Sequence, residues 1–371
     1  MIIGLLHQQK QHQCRERTKK QKTKNKRQIK EKKPNNQEPK LRTQNPEHRT
    51  QNSKLFMNAI AQFFKLVRWP NLAFIFLTQL LFFYGIVQPV FFSNQYVPTE
   101  YTILFYFLCA ASIFIAAAGY IINDYFDLNI DLVNKPQRMV VDKTIGRRWA
   151  IFFHFIFSIT GILISFYIGL QNGNWFIGIA NTVCVLVLWF YSTNFKKQLL
   201  SGNILISLLT GWTVLVVYFF ALSQNGATAF ETLQVNAGQK LLRLALLYTS
   251  FAFIITLIRE IVKDMEDMEG DRRYGCRTMP IVWGVEFSKI FVVIWMVILL
   301  ALLFIVLFYV VQLQMWIPAA YNLLLIITPA AYCLFLLLRS NTTADYNKLS
   351  NWIKVVIFTG IFSMILFKFF G

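Results

Sequence analysis

Nine long apolar runs constrain the fold of this 371-residue chain more than any other feature of its sequence. Each run has about 18 or more residues with almost no charge, enough to cross about 30 Å of hydrocarbon as a helix. A soluble bundle needs polar faces on its outer helices, and residues 292 to 311 contain no charged side chain. The predicted spans are residues 70 to 92, 101 to 122, 149 to 170, 174 to 192, 203 to 223, 241 to 258, 288 to 311, 316 to 338 and 352 to 370. The sequence therefore predicts an all-α integral membrane protein with about nine transmembrane helices.

The net charge of +19 lies mostly outside these runs. Residues 1 to 56 contain 16 Lys and Arg against 4 Asp and Glu, a net +12, and this polar composition predicts a disordered tail. We predict two parts, a basic tail over 1–56 and a membrane domain over 57–371. Either translation begins at Met57 and the tail is a gene-start artefact, or a genuine basic tail contacts anionic lipid or RNA. The membrane domain is expected to need neither nucleic acid nor a protein partner.

Cysteine and histidine are placed in ways that argue against several common sites. The five cysteines show no CxxC or other paired spacing, and three of the four histidines lie in the tail. A disulfide framework, a zinc site and a haem site are therefore not expected.

Charged residues in the connections orient the predicted bundle. Lysine and arginine concentrate after the even-numbered spans, whereas the connections after the odd-numbered spans carry only Lys240. Because Lys and Arg are retained on the cytoplasmic side, the N-terminus and the even connections are expected in the cytoplasm and the C-terminus outside. With no secretory cleavage signal recognised, we expect a multi-pass protein of a bacterial inner membrane.

The first acidic motif follows the second span, where residues 123 to 131 read NDYFDLNID. On a continuing helix Asn123, Asp127 and Asp131 recur every four residues and form one stripe of oxygen ligands. Acids at a helix C-terminus oppose the helix dipole, so they need a cation to neutralise them. The stripe predicts a site for Mg²⁺ and a phosphate group. The small residues 116 to 119 before it are expected to form a close-packing seam.

The second acidic motif follows the sixth span, where residues 259 to 271 read REIVKDMEDMEGD. Helical spacing places Glu260, Asp264, Asp267 and Asp271 on one face, while Glu266 and Glu269 point elsewhere. Four carboxylates on one stripe repel one another and raise their pKa values unless a cation intervenes. We therefore predict Asp264, Asp267 and Asp271 as further metal ligands, with Glu260 the weakest candidate.

Together these motifs resemble the UbiA superfamily of intramembrane prenyltransferases. The family motif NDxxDxxxD matches residues 123 to 131 at each fixed position, and residues 134 to 138, NKPQR, resemble its NKPxR continuation. The second family motif, DxxxD, matches Asp267 and Asp271 and is followed by Gly275, Thr278 and Gly284. The resemblance covers about residues 57 to 371. It implies a UbiA-type bundle with helical cytoplasmic cap loops.

Two weaker likenesses refine the comparison. Tyr191 and Lys196 resemble a Tyr and Lys element of the family, although the lysine stands one position later than is commonest, and Lys196 and Lys197 also suit membrane anchors. Residues 259 to 271 look most like the branch that makes digeranylgeranylglyceryl phosphate. That branch transfers a geranylgeranyl group to a geranylgeranylglycerol phosphate.

The expected activity is Mg²⁺-dependent transfer of a prenyl group from an isoprenyl diphosphate to a lipophilic acceptor within membrane lipid. The alternatives are an aromatic, quinone-precursor prenyltransferase and, from another class, a cation transporter. Against the transporter, the acids lie at helix ends on one side and not near the midplane.

The site residues are predicted in three groups. The metal ligands are predicted as Asn123, Asp127, Asp131, Asp264, Asp267 and Asp271. The catalytic groups are predicted as Asp127, Asp131, Asp267, Asp271, Lys135 and Arg138, and the substrate contacts as Asn123, Lys135, Arg138, Tyr191, Lys196, Arg259 and Lys263.

Overall fold

The computed structural model describes residues 60–92, 97–134, 140–142, 145–223 and 236–370. Within these ranges it is almost entirely helical, and nine helices are long and apolar enough to cross a membrane. These are α1 (Trp69–Phe92), α2 (Thr99–Phe126), α4 (Arg147–Gln171), α5 (Phe176–Thr193), α6 (Ser201–Leu222), α7 (Asn236–Glu266), α10 (Val285–Gln312), α11 (Trp316–Arg339) and α12 (Thr343–Phe370). The prediction of an all-helical membrane protein with nine spans is confirmed. The predicted boundary at residue 56 and the basic tail lie before the described residues.

Three short α-helices follow the two motif helices, and a 3-10 helix over Phe195–Lys197 follows α5. Helix α3 (Leu128–Asn134) follows α2, and helices α8 (Met268–Arg273) and α9 (Met279–Val282) follow α7. Helices α3 and α8 contain Asp131 and Asp271, the last acids of the two motifs, so the motifs themselves form part of the predicted helical cap loops. Helix α3 packs against α8, so the two cap segments meet.

The acidic stripes were predicted for helices that continue through the motifs, and each helix instead has a one-residue break within its motif. Helix α2 ends at Phe126 and helix α7 at Glu266, and each is followed by one residue outside the helix. These residues are Asp127, with φ −86° and ψ 0°, and Asp267, with φ −95° and ψ 6°. Main-chain hydrogen bonds still span both positions, because Asp127 N donates to Asn123 O and Asp267 N to Lys263 O. Each stripe is therefore bent at its central acid rather than interrupted.

Two spans extend further than their apolar runs. Helix α7 continues to Glu266, beyond the predicted end at residue 258, and carries the second motif out of the apolar layer. Helix α12 begins at Thr343 instead of residue 352, where Thr342 and Asp345 form a reciprocal capping box. Hydropathy identifies only the apolar part of a helix. It therefore misses polar turns at the helix end that are stabilised by a cap or by contacts in a site.

Small residues bring the helices around the first motif close together. A Cβ on Gly119 of α2 would lie 3.0 Å from the Leu188 side chain of α5. A Cβ on Gly161 of α4 would lie 2.7 Å from Ile115 of α2. Larger residues would push these helices apart, as expected for a close-packing seam between membrane helices.

Candidate active site

A polar cavity of about 870 Å³ lies where α2 and α7 leave the apolar layer. Its lining contains seven acidic and seven basic side chains. The acids are Asp124, Asp127, Asp131, Glu260, Asp264, Asp267 and Asp271, and the bases are Lys65, Arg68, Lys196, Lys197, Arg259, Lys263 and Lys354. Opposite charges in equal number reduce the cost of holding so many ionised groups in one partly buried volume. The two acidic motifs thus face a single cavity.

The first motif is organised around Asp127, which is 4% exposed. Asn123 donates a hydrogen bond from Nδ2 to Asp127 Oδ2 at 2.7 Å. The Lys196 ammonium pairs with the same carboxylate oxygen and lies 3.3 Å from Asn123 Oδ1. Of the two adjacent lysines, Lys196 is therefore the one that contacts the motif. Asp131 lies one turn further on and also lines the cavity.

The second motif approaches from the opposite side. Asp264, Asp267 and Asp271 all line the cavity, as does Glu260. Asp264 accepts a 2.8 Å hydrogen bond from Asn203 Nδ2 of α6. Glu260 instead accepts a hydrogen bond from Arg259 at 2.7 Å, which ties its carboxylate to a neighbouring cation. Asp264 is therefore bonded to a neutral amide, whereas Glu260 is bonded to a cationic guanidinium.

A single asparagine joins the two motifs. Asn134, at the end of α3, donates to the carbonyl oxygen of Asp267 at 2.9 Å and accepts from the Gly270 N–H at 2.9 Å. A Cβ on Gly270 would lie 2.4 Å from Asn134 Oδ1, so this approach requires glycine. The amide thus fixes the turn that carries Asp267 and Asp271 against the end of the first motif.

Two motif acids outside the predicted stripes, Glu266 and Asp124, have structural partners. Glu266 accepts a 2.8 Å hydrogen bond from Asn347 of α12, and neither Glu266 nor Glu269 lines the cavity. Asp124 pairs with Arg68, whose guanidinium also lies 5.3 Å from the centre of the Tyr120 ring. These contacts agree with the helical spacing that set Glu266 and Glu269 apart from the ligands.

The predicted substrate contacts are only partly described. Tyr191, Arg259 and Lys263 line the cavity together with Lys196. Lys135 and Arg138 lie outside the described residues. Their roles therefore rest on the sequence alone.

Burial and neighbouring charge shift the protonation of the groups in the cap segments. Burial raises the pKa of Asp131, and the adjacent Asp127 carboxylate raises it further. Burial raises the pKa of Asp271 to about 6, with Lys196 opposing the shift and Asp267 adding to it. Burial lowers the pKa of Lys196, but the Asp127 carboxylate outweighs this and holds it above its ordinary value. Additional positive charge would stabilise both carboxylates.

The donor set of the cavity suits a hard divalent cation. Its acidic ligands are carboxylate oxygens, which Mg²⁺ prefers. Among the described residues, no three acidic, histidine or cysteine side chains close around one point as a ready-made metal cage. Mg²⁺ usually binds through one or two carboxylates together with substrate phosphates, so carboxylates spread around a cavity fit that mode. The predicted ligands Asp127, Asp131, Asp264, Asp267 and Asp271 all line this cavity.

A second cavity, of about 300 Å³, adjoins the first on its membrane side. The two share Arg68, Tyr191, Lys196 and Arg259 among their lining residues. Deeper in, the walls are mostly apolar and include Ile115, Leu188, Ile206 and Leu209. A ligand with a charged head and a long apolar tail would fit across the pair.

Sequence reasoning missed several polar residues of the site, four of which stand out. Asn134 lies within the NKPQR segment, but nothing in that segment shows that its amide holds the other motif. Asn203 and Arg68 lie at the starts of apolar spans, where polar residues are ordinary. Lys354 lines both cavities from α12, and a lysine within an apolar helix was a usable signal.

A cavity lined by carboxylates and lysines over an apolar pocket defines an intramembrane enzyme for a ligand with an anionic head and a lipid tail. The profile of the UbiA prenyltransferase family matches residues 80–356. A digeranylgeranylglyceryl phosphate synthase of Methanothermobacter thermautotrophicus is 33% identical over 238 residues, which cover 64% of this chain and 75% of that protein. The chain belongs to the UbiA prenyltransferase family, and it is a prenyltransferase.

Solved structures share the fold. One, from work on digeranylgeranylglyceryl phosphate synthase in membranes, is 25% identical, covers 83% of this chain and 99% of its own, and has a TM-score of 0.51. Another, a UbiA homologue from Archaeoglobus fulgidus bound to DMAPP and Mg²⁺, is 15% identical, covers 82% and 99%, and has a TM-score of 0.50. The similarity therefore extends over nearly the whole of both neighbours.

Replacing Asn134 with alanine is expected to lower turnover about 10- to 100-fold, because the turn carrying Asp267 and Asp271 loses both hydrogen bonds to the first motif. Gly270→Ala is expected to act similarly, since its Cβ displaces the Asn134 side chain. Steady-state kinetics and the Mg²⁺ concentration for half-maximal rate measure the effect, and that concentration should rise. Leu132→Ala, at a side chain that is 51% exposed on the same short helix, is the control. An unchanged Mg²⁺ dependence in both site variants would contradict the positioning role.

Proposed function

We propose that this enzyme transfers a geranylgeranyl group from geranylgeranyl diphosphate to geranylgeranylglyceryl phosphate, forming digeranylgeranylglyceryl phosphate with the help of Mg²⁺. The main support is that both acidic motifs line one polar cavity, and that this cavity adjoins an apolar cavity. The relative from Methanothermobacter thermautotrophicus is named for this product, and a UbiA homologue structure contains Mg²⁺ and a prenyl diphosphate.

The donor diphosphate is placed between the motifs, with its tail in the apolar cavity. Asp127, Asp131, Asp267 and Asp271 would hold Mg²⁺, with Asn123 and Asp264 completing the ligand set. Bound there, Mg²⁺ would neutralise the diphosphate and make it a better leaving group. Lys263 and Arg259 line the same cavity and supply donors to the diphosphate oxygens. The predicted roles of Lys135 and Arg138 belong to the same task.

Reaction requires an electron-poor carbon at the membrane edge of the cavity. When the bond between the allylic carbon and the diphosphate oxygen breaks, positive charge develops on that carbon. A glycerol hydroxyl of the acceptor attacks it, the ether bond forms, and the hydroxyl proton is released. Lys196 contacts Asp127 and Asn123 and lines both cavities, so its ammonium lies beside the proposed diphosphate position and can stabilise the negative charge that grows there. Tyr191 shares this boundary between the two cavities.

The membrane placement follows the loop charges. We propose that the N-terminus and both acidic motifs face the cytoplasm and that the C-terminus lies outside. The expectation of a bacterial inner membrane gains no support, because the relatives found are archaeal. An aromatic acceptor is the alternative for the same donor chemistry.

Product analysis tests the acceptor directly. Purified protein with Mg²⁺ and radiolabelled geranylgeranyl diphosphate should convert geranylgeranylglyceryl phosphate to a double ether, detected by chromatography and mass spectrometry. Chelation of Mg²⁺ should stop the reaction. Transfer to an aromatic quinone precursor, with none to the glycerol phosphate, would reject the proposed acceptor and retain the enzyme class.

Neutralising one central acid of either motif should remove activity. Asp127→Asn and Asp267→Asn keep side-chain size but lose the charge that a cation needs, so transfer is expected to fall at least about 1,000-fold, as in removal of a major charge-stabilising group. Glu269→Gln, at an acid outside the cavity, is the matched control and should leave the rate unchanged. Size-exclusion chromatography and thermal unfolding in detergent verify that the variants fold. Full activity in both Asp variants would overturn the assignment.

A further inference from the structure

The apolar cavity ends at a layer of polar side chains inside the membrane. Ser112 of α2, Asn181 of α5 and Trp212 of α6 all line its inner end. Polar groups at this depth are unusual unless they pair with one another or serve a function. Their position at the end of a pocket for an apolar tail calls for an explanation.

Hydrogen bonds within this layer connect five helices. Gln79 of α1, which is fully buried, donates to Ser112 Oγ at 2.8 Å and to the Thr213 carbonyl of α6 at 3.3 Å. The Trp212 indole donates to Asn181 Oδ1 at 2.9 Å, and Asn181 donates to Ser165 Oγ of α4 at 2.8 Å. Cross-linked in this way, the helices resist being separated by a tail that pushes further in.

Behind the layer the helices are closely packed. Phe105 of α2 and Phe220 of α6, each two turns beyond the layer, are fully buried. Phe105 stacks on Phe83 of α1 with ring centroids 3.9 Å apart. An apolar chain reaching the polar layer therefore meets a filled core with no space to continue.

The depth of the cavity matches a definite chain length. Asn123 and Ser112 both line it and lie eleven residues apart on α2, about 16 Å along the helix. Carbon–carbon bonds of about 1.5 Å give an extended isoprene unit a length of about 5 Å. Three extended units, or four slightly folded ones, thus fill the distance between the first motif and the layer.

We propose that the polar layer formed by Gln79, Ser112, Asn181 and Trp212 closes the donor-tail cavity and sets the longest isoprenoid chain that the enzyme accepts. The inference rests on the proposed function, since it assigns a length limit to the same donor. It identifies Trp212 as the side chain whose bulk closes the inner end. Ala116, one turn nearer the motif on α2, is the position at which a larger residue would shorten the cavity.

Two substitutions move the end of the cavity in opposite directions. Trp212→Leu removes the indole and should raise use of geranylfarnesyl diphosphate, which is one isoprene unit longer, relative to geranylgeranyl diphosphate by about tenfold or more, the scale of a pocket that gains room for extra methylenes. Ala116→Phe should lower use of geranylgeranyl relative to geranyl diphosphate by a similar factor. Leu208→Phe changes a side chain of α6 that is 56% exposed at the outer surface and should leave the profile unchanged.

The measurement is kcat/KM for geranyl, farnesyl, geranylgeranyl and geranylfarnesyl diphosphates with one acceptor. A second readout measures how well each of these diphosphates displaces bound, labelled geranylgeranyl diphosphate. Opposite shifts in the two variants support the length limit. An unchanged profile in both by both readouts would overturn it and leave the layer a purely structural contact. If Trp212→Leu does not fold, Ala116→Phe alone decides. Absence of transfer by the wild type from every donor would reject the proposed function, while displacement would still decide the length limit.

Discussion

Carboxylates at the carboxyl ends of two membrane helices are the interaction on which the rest of this structure depends. The partial negative charge of each helix end and the loss of water both disfavour an ionised acid there. The chain compensates in part with Lys196, which pairs with Asp127, and with the other basic residues of the cavity lining. Burial still raises the pKa of Asp271 to about 6. The site is therefore prepared for further positive charge, which a cation brought with a diphosphate supplies.

The geometry of the two motif helices also brings their carboxylates to one cavity. Both motif helices bend at their central acid, Asp127 in one and Asp267 in the other, and each continues into a short helix. The two short helices pack against each other, and Asn134 joins them. The small residues around Gly119 bring α2 and α5 together beside the apolar cavity. Close helix packing at Gly119 therefore positions the site on its membrane side, and the Asn134 amide positions it on its polar side.

The sequence predicts the spans well, because hydrocarbon imposes a length and a composition that local residues reveal. It also separates cavity-lining acids from Glu266 and Glu269, since helical spacing survives a modest bend. The bends themselves depend on tertiary contacts between the cap segments and were not predictable. The roles of Asn134, Asn203 and Arg68 have the same origin, as each has its partner on another helix. Lys135 and Arg138 stay predictions, because they lie outside the described residues.

We propose that both acidic motifs hold the same diphosphate through Mg²⁺. A double-mutant cycle on the affinity for geranylgeranyl diphosphate, with Asp127→Asn and Asp267→Asn singly and together, measures whether they do. If the motifs act on one ligand, the double variant should lose little more affinity than either single variant, with a coupling of about 1–3 kcal/mol. Losses that add, with each variant retaining the Mg²⁺ dependence of the other motif, would show two independent sites and contradict the account.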